Sequence, residues 1–151
     1  GDRHGGEPLM SVMPQRYRED VAEGEELPGF SLELTMTRMA LQVSGTQDFY
    51  PIHHDPAFAR GAGHPDIFLN TGFIRACLGR VLTDWIGPDG FVKRLGFQMR
   101  TPNLLGETIT ARGRVKQKGP DGTVEVEVWI ESAEKGITVP GSATVILPAR
   151  R

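Results

Sequence analysis

From Asn70 to Trp85 the chain offers a helix that is apolar around most of its girth. Phe73, Ile74, Cys77, Leu78, Val81, Leu82 and Trp85 recur at three- and four-residue spacing, with Gly72, Ala76 and Gly79 between them. Asn70 and Thr71 are good N-cap types, and Gly87-Pro88-Asp89-Gly90 stops the pattern. A helix with apolar residues on nearly every side must be wrapped by other structure. That requirement selects folds in which the rest of the chain closes around one helix.

The remaining segments read mostly as strands. After a polar turn, Glu23 to Gly29, the run Phe30 to Met36 alternates apolar and polar residues, the period of a half-buried strand. Arg38 to Val43 reads as a short helix ending near Gly45. Past the long helix, strands are predicted over Val92–Met99, Glu107–Lys116, Thr123–Glu131 and Ile137–Leu147, with turns at Lys118–Gly122 and at Gly136. Thr123 to Glu131 alternates cleanly, as a strand with one wet face does. One strand, a buried helix and four antiparallel strands make an α+β arrangement. The economical form is a single domain with an antiparallel sheet curved around the central helix.

At 151 residues one core is expected, over residues 23–151, with residues 1–22 a flexible polar segment. Part of residues 1–14 is expected to be an artificial leader, with Met10 or Met13 as candidate native starts. A net charge of −2 and no basic stripe give no case for nucleic acid. No apolar run approaches the roughly 20 residues that span a bilayer, and no secretory signal pattern opens the chain. The single cysteine, Cys77, excludes an internal disulfide framework, so the expected compartment is the cytoplasm.

Chemistry concentrates in the stretch from Ser44 to Ala59. Asp48 and His53 place a carboxylate and an imidazole five residues apart, with the Pro51 ring fixing one torsion between them. These are suitable acid–base types. The first turn of the long helix, around Asn70, Thr71 and Gly72, offers free backbone N–H groups and a positive dipole end for a developing oxyanion. Taken alone, an Asp and a His at this spacing are a weak signal and read more readily as ordinary loop residues. Asp55 before Pro56 reads as a turn or N-cap residue leading a short helix to Arg60. His54 beside His53 invites a metal reading. The other histidines are His4 and His64, however, and no HxxxH or CxxC spacing exists, so no metal site is assigned. Cys77 reads as core rather than nucleophile.

The stretch resembles the motif of MaoC-like, R-specific enoyl-CoA hydratases, S-G-D-x-N-P-I-H-x-D-P-x-F-A, which precedes a long apolar helix in a hot-dog fold. Asp48, Pro51, Ile52, His53, Asp55, Pro56, Phe58 and Ala59 match in order and spacing, and the likeness covers roughly residues 25 to 147. The resemblance implies that Asp48 and His53 are the catalytic pair and that an amide at Thr71 or Gly72 is the oxyanion donor. It implies an acyl-CoA substrate, with coenzyme A part of that substrate and no separate cofactor. It also implies a hot-dog partner subunit, either a second copy or a related chain. Three departures stand out. Tyr50 replaces the motif's Asn and so removes a polar partner; Thr46 and Gln47 separate Gly45 from Asp48; and the helix opens Asn-Thr-Gly rather than His-Gly. Tyr50, His54 and Asp55 are then residues behind the pair rather than on the substrate.

The wording around Asp48-Phe49 and His53-His54-Asp55, with Asp66-Ile67-Phe68-Leu69-Asn70 and Thr83-Asp84-Trp85, is similar to a narrower branch. That branch comprises the small MaoC-like subunits of actinobacterial steroid side-chain degradation, which implies a heteromer and a bulky steroid enoyl-CoA. Two alternatives remain open: a hot-dog thioesterase and a noncatalytic partner subunit. Arg94, Arg100 and Lys116 are available for coenzyme A phosphates.

Overall fold

Helix α3 runs from Thr71 to Ile86 in the computed structural model, which describes residues 14–151. Asn70 caps it as expected, its Oδ1 accepting from the Phe73 N–H at 2.8 Å. Ile74, Leu78, Val81 and Leu82 are fully buried, each removing a side chain from water at about 1.5–3 kcal/mol.

A five-stranded antiparallel sheet covers the buried face of α3, in the order β1-β3-β4-β5-β2. The strands are β1 (Glu26–Glu33), β2 (Phe91–Phe97), β3 (Thr108–Lys118), β4 (Thr123–Ser132) and β5 (Gly136–Ile146). Along β4, Val124, Val126, Val128 and Ile130 point to the core, and Glu125, Glu127, Trp129 and Glu131 are half-buried on the other face. Arg112 and Arg114 of β3 pair across that outer face with Glu131 and Glu127. Among the described residues, no helix is long and apolar enough to cross a membrane.

Helix α1 (Met36–Thr46) follows β1, and the shorter α2 (Pro56–Gly61) precedes α3. Between α1 and α2 a single 3-10 turn, Pro51–His53, carries the middle of the motif. The last four strands, the buried helix and the short helix after Asp55 therefore lie where the sequence puts them, whereas the first strand is shifted: it ends at Glu33, and Met36 already opens α1.

Four details differ from the sequence reading. Glu23–Gly29 is not all turn, because β1 already begins at Glu26 and a bulge between Leu27 and Phe30 absorbs Pro28 and Gly29. An edge strand tolerates proline at a bulge, and Gly29 is needed where a Cβ would stand 2.3 Å from the Ala111 carbonyl oxygen. Helix α1 does not end near Gly45. It runs through Thr46, and Gln47 takes the left-handed cap at φ 59°, turning the chain into Asp48.

The sheet wraps the long helix but leaves one side of it open. Arg75, Ala76, Arg80 and Thr83 are exposed on its outer face, because a five-stranded sheet reaches only one flank. That face borders an apolar groove of about 390 Å³, with Phe30 and Leu32 of β1, Leu41 of α1, and Arg38 and Arg80 beside it. Finally, the expected flexible segment 1–22 lies partly outside the described residues. Its described portion is docked: Gln15 donates to the Ile86 carbonyl and accepts from the Asp89 N–H, both at 2.7 Å, and Val21 is in the core.

Candidate active site

The turn after α1 brings Asp48 and His53 together. Asp48 Oδ2 lies 3.3 Å from His53 Nε2, an ion-pair distance. The Asp48 side chain is 40% exposed and that of His53 only 10%, so the pair faces solvent through the carboxylate. The other ring nitrogen, Nδ1, is 2.9 Å from the Phe68 carbonyl oxygen. A carbonyl can only accept, so Nδ1 carries hydrogen and donates. Nε2 therefore faces the carboxylate, and a proton held between these two atoms is the one free to move. A carboxylate and an imidazole sharing one proton can take a proton from water and give one to carbon.

The backbone N–H of Tyr50 reaches Asp48 Oδ1 at 3.4 Å. The Tyr50 ring, 54% exposed, stands edge-on to His53 at 6.4 Å and to Phe58 at 5.6 Å. Tyr50 thus supports the carboxylate through its main chain and walls the site with its side chain. Phe68 stands edge-on to the imidazole on another side, at 5.1 Å.

His54 and Asp55 lie outside the pair. His54 is exposed and its Nε2 is 3.1 Å from the Phe49 carbonyl, closing the turn from outside. Asp55 is the N-cap of α2, accepting from the Phe58 N–H at 3.1 Å. Both are local clasps of the loop.

The start of α3 is built around Asn70. Its N–H goes to Gln42 Oε1 (2.9 Å), its Nδ2 to Thr46 Oγ1 (2.8 Å), and its Oδ1 to the Phe73 amide. The backbone N–H and one Nδ2 hydrogen of Asn70 are thus engaged in building the helix end, which leaves its second Nδ2 hydrogen without a partner among the described residues. Thr71 and Gly72 occupy the first two helical positions, whose N–H groups have no intrahelical partner. Among the described residues neither amide has a hydrogen-bond partner. Both amides are therefore unpaired donors at the positive end of the helix dipole.

Reading the sequence missed Gln42, Thr46 and the Phe68 carbonyl. Gln42 is 2% exposed, and its Nε2 donates to that carbonyl at 3.1 Å. Thr46 donates to the Gln42 carbonyl at 2.6 Å while accepting from Asn70. A signal for Gln42 was present: it is a polar residue on the apolar stripe of α1, between Met39 and Val43.

Cys77 is buried in α3, and burial pushes its thiol up to about 11. Arg94 of β2 reaches Glu125 at 3.7 Å and Ser142 at 3.1 Å, so it is already engaged on the outer sheet face. Arg100 and Lys116 make no ion pair among the described residues.

A hot-dog domain carrying an Asp/His pair beside the N-terminus of its central helix is the architecture of the MaoC-like hydratases. No family model matches the sequence. The chain is 32% identical over 105 residues to the 3-oxo-4,17-pregnadiene-20-carboxyl-CoA hydratase beta subunit of Mycobacterium tuberculosis, covering 70% of this chain and 81% of that one. Among solved structures it is similar to a chain of the ChsH1–ChsH2 complex of Mycobacterium tuberculosis, with a TM-score of 0.78 and 28% identity over 83% of this chain and 98% of that chain. The (R)-hydratase of A. caviae involved in PHA biosynthesis shares the fold at a TM-score of 0.78 and 20% identity, covering 86% and 99% of the two chains. The chain belongs to the MaoC-like hydratase family and has its hot-dog fold.

Proposed function

We propose that this protein adds water across the 2,3 double bond of a 2-enoyl-CoA thioester to give a 3-hydroxyacyl-CoA, with Asp48 and His53 as the acid–base pair. The observation that carries this reading is the 3.3 Å approach of Asp48 to His53, with His53 Nδ1 committed to a carbonyl. A water held against both groups attacks C3. The C2–C3 electron pair moves toward the thioester, whose oxygen gains charge and is met by the amide of Thr71 or Gly72. One water proton passes to Asp48, and the proton shared with His53 is delivered to C2. The product thus holds the water's oxygen and one hydrogen on C3 and one hydrogen on C2. The thioester itself activates C3, so the step calls for no metal or redox cofactor.

The substrate named for the Mycobacterium tuberculosis relative makes a steroid side-chain enoyl-CoA the first acyl group to test. Among the described residues, β1 and β2 are the two edges of the sheet, each hydrogen-bonded on one side only. That relative is a beta subunit and the similar chain comes from a two-protein complex, which supports a second hot-dog subunit here, identical or related. The reaction is assigned to the cytoplasm, in keeping with the lone buried cysteine.

Loss of the enoyl-thioester absorbance is the direct test, on a panel from crotonyl-CoA to a steroid enoyl-CoA, with and without a partner subunit. Asp48→Asn and His53→Ala should each lower turnover by about 100-fold or more while the melting temperature holds. Near-normal rates in both would sink the assignment. Release of free thiol in place of hydration would make the protein a thioesterase.

A further inference from the structure

The peptide segment Ile67–Asn70 forms the wall between the acid–base pair and the oxyanion amides, and its backbone is held at almost every position. The Ile67 carbonyl accepts from the Leu105 N–H and the Leu69 N–H donates to the Asn103 carbonyl, both at 3.0 Å. Two further groups, the Phe68 carbonyl and the Asn70 N–H, are both taken by one side chain. Gln42 donates from Nε2 to the first at 3.1 Å and accepts at Oε1 from the second at 2.9 Å. Turning the carboxamide over would face oxygen to oxygen and NH₂ to N–H, so its orientation is forced.

We infer that Gln42 is a positioning residue of this site: by clamping the two backbone groups on either side of Leu69, it fixes the His53 ring and the α3 amides in one geometry. The Phe68 carbonyl is shared, accepting from Gln42 Nε2 and from His53 Nδ1 at 2.9 Å, so the direction of that carbonyl selects the tautomer and tilt of the imidazole. The Asn70 N–H lies directly before Thr71 and Gly72, so its anchor sets where their amides point. A second strand of the network reinforces the clamp. Thr46 Oγ1 donates to the Gln42 carbonyl and accepts from Asn70 Nδ2, at 2.6 and 2.8 Å. Tyr50 puts a phenol ring in place of a carboxamide on the loop, and Gln42 supplies a carboxamide from α1.

The inference rests on the hydratase reading, and its test separates the two. Gln42→Met keeps the length of the side chain and removes both bonds. Its kcat should fall by about 10- to 100-fold, the cost of a misplacement of order 1 Å, with KM changed by no more than about threefold. The ring-nitrogen NMR shifts of His53 should move away from the Nδ1–H tautomer. Gln42→Glu covers the case in which Gln42→Met fails to fold. Burial favours the neutral acid, which can donate to Phe68 and accept from Asn70, whereas the carboxylate repels the Phe68 carbonyl. The hydrogen-bond partners of the position are neutral, and the ionisable groups reached through them are His53 and, beyond it, Asp48.

The kcat of Gln42→Glu should therefore rise relative to wild type as the pH falls from about 8 to 6, with the circular-dichroism spectrum unchanged. Wild-type kcat and wild-type His53 shifts in Gln42→Met, or in Gln42→Glu across that range, would overturn the inference. A wild-type protein inert on every enoyl thioester would remove the hydratase reading, and the His53 shifts would still decide the role of Gln42.

Discussion

Gly72 sits directly against the side chain of Thr46: a Cβ on Gly72 would stand 2.9 Å from Thr46 Cγ2 and 3.3 Å from its Cβ. Thr46 cannot swing aside freely, because its hydroxyl is bonded to both the Gln42 carbonyl and Asn70. The glycine lets the first turn of the central helix press onto the end of α1, and this contact holds the Thr71 and Gly72 amides next to the Asp48 loop.

Gly72→Ala should accordingly cost about 1–3 kcal/mol in urea unfolding, the range for forced overpacking. It should also lower kcat by about tenfold or more by displacing the amides. Adding Thr46→Ser, which deletes Cγ2 and keeps the hydroxyl, should recover most of both losses. Failure of the double variant to improve on Gly72→Ala would mean that the methyl contact is not what fixes the helix start.

His54 and Asp55 should separate cleanly from the acid–base pair. His54 is turned outward to the Phe49 carbonyl, so His54→Ala should keep kcat within about threefold of wild type. Asp55→Ala loses the α2 cap and should cost about 1 kcal/mol in thermal or urea unfolding, again with activity largely kept. A collapse of kcat in His54→Ala would move it into the proton-transfer path.

Cys77 predicts an alkaline loss of stability. Its thiol is raised from an ordinary 9.0 to about 11 by burial, so the unfolded chain gives up its proton first. The neutral thiol's contribution is fully present below about pH 9 and is lost as pH climbs toward 11, by about 2–3 kcal/mol in all. Urea unfolding from pH 8 to 11 should show this slope, and Cys77→Ala should lose it while leaving the slopes of other groups. The same burial makes the thiol slow to alkylate in the native protein at pH 8 and fast in urea.

Sequence reading succeeded where the information is local. The Asn70 cap, the Asp55-Pro56 start of α2 and the alternation of Thr123 to Glu131 each express a rule spanning a few residues, and the structure places all three as read. The approach of Asp48 to His53 belongs here too, since only the Pro51 turn lies between them. Failures came from long range or from ambiguity. Gln42 meets Phe68 and Asn70 across 26 and 28 positions, and no spacing rule reaches that far. Pro28-Gly29 has the composition of a turn and of an edge-strand bulge alike, so only the pairing with β3 distinguishes them. The apolar girth of α3 called for a covering sheet, which is present, and Arg75 and Arg80 mark the side that sheet leaves open.

The knitting of Ile67–Leu69 to Asn103–Leu105 bears on how the protein comes into being. The motif and the helix start are both translated by Gly72, yet the segment that bonds the backbone on either side of Phe68 emerges from the ribosome only with Leu105. A nascent chain halted between those points carries every residue of the proposed chemistry and lacks the frame that orients them. Competence would then appear late and abruptly, when the loop before β3 docks. Recovery of turnover during refolding would mark the closing of that one seam, later than the growth of helix signal.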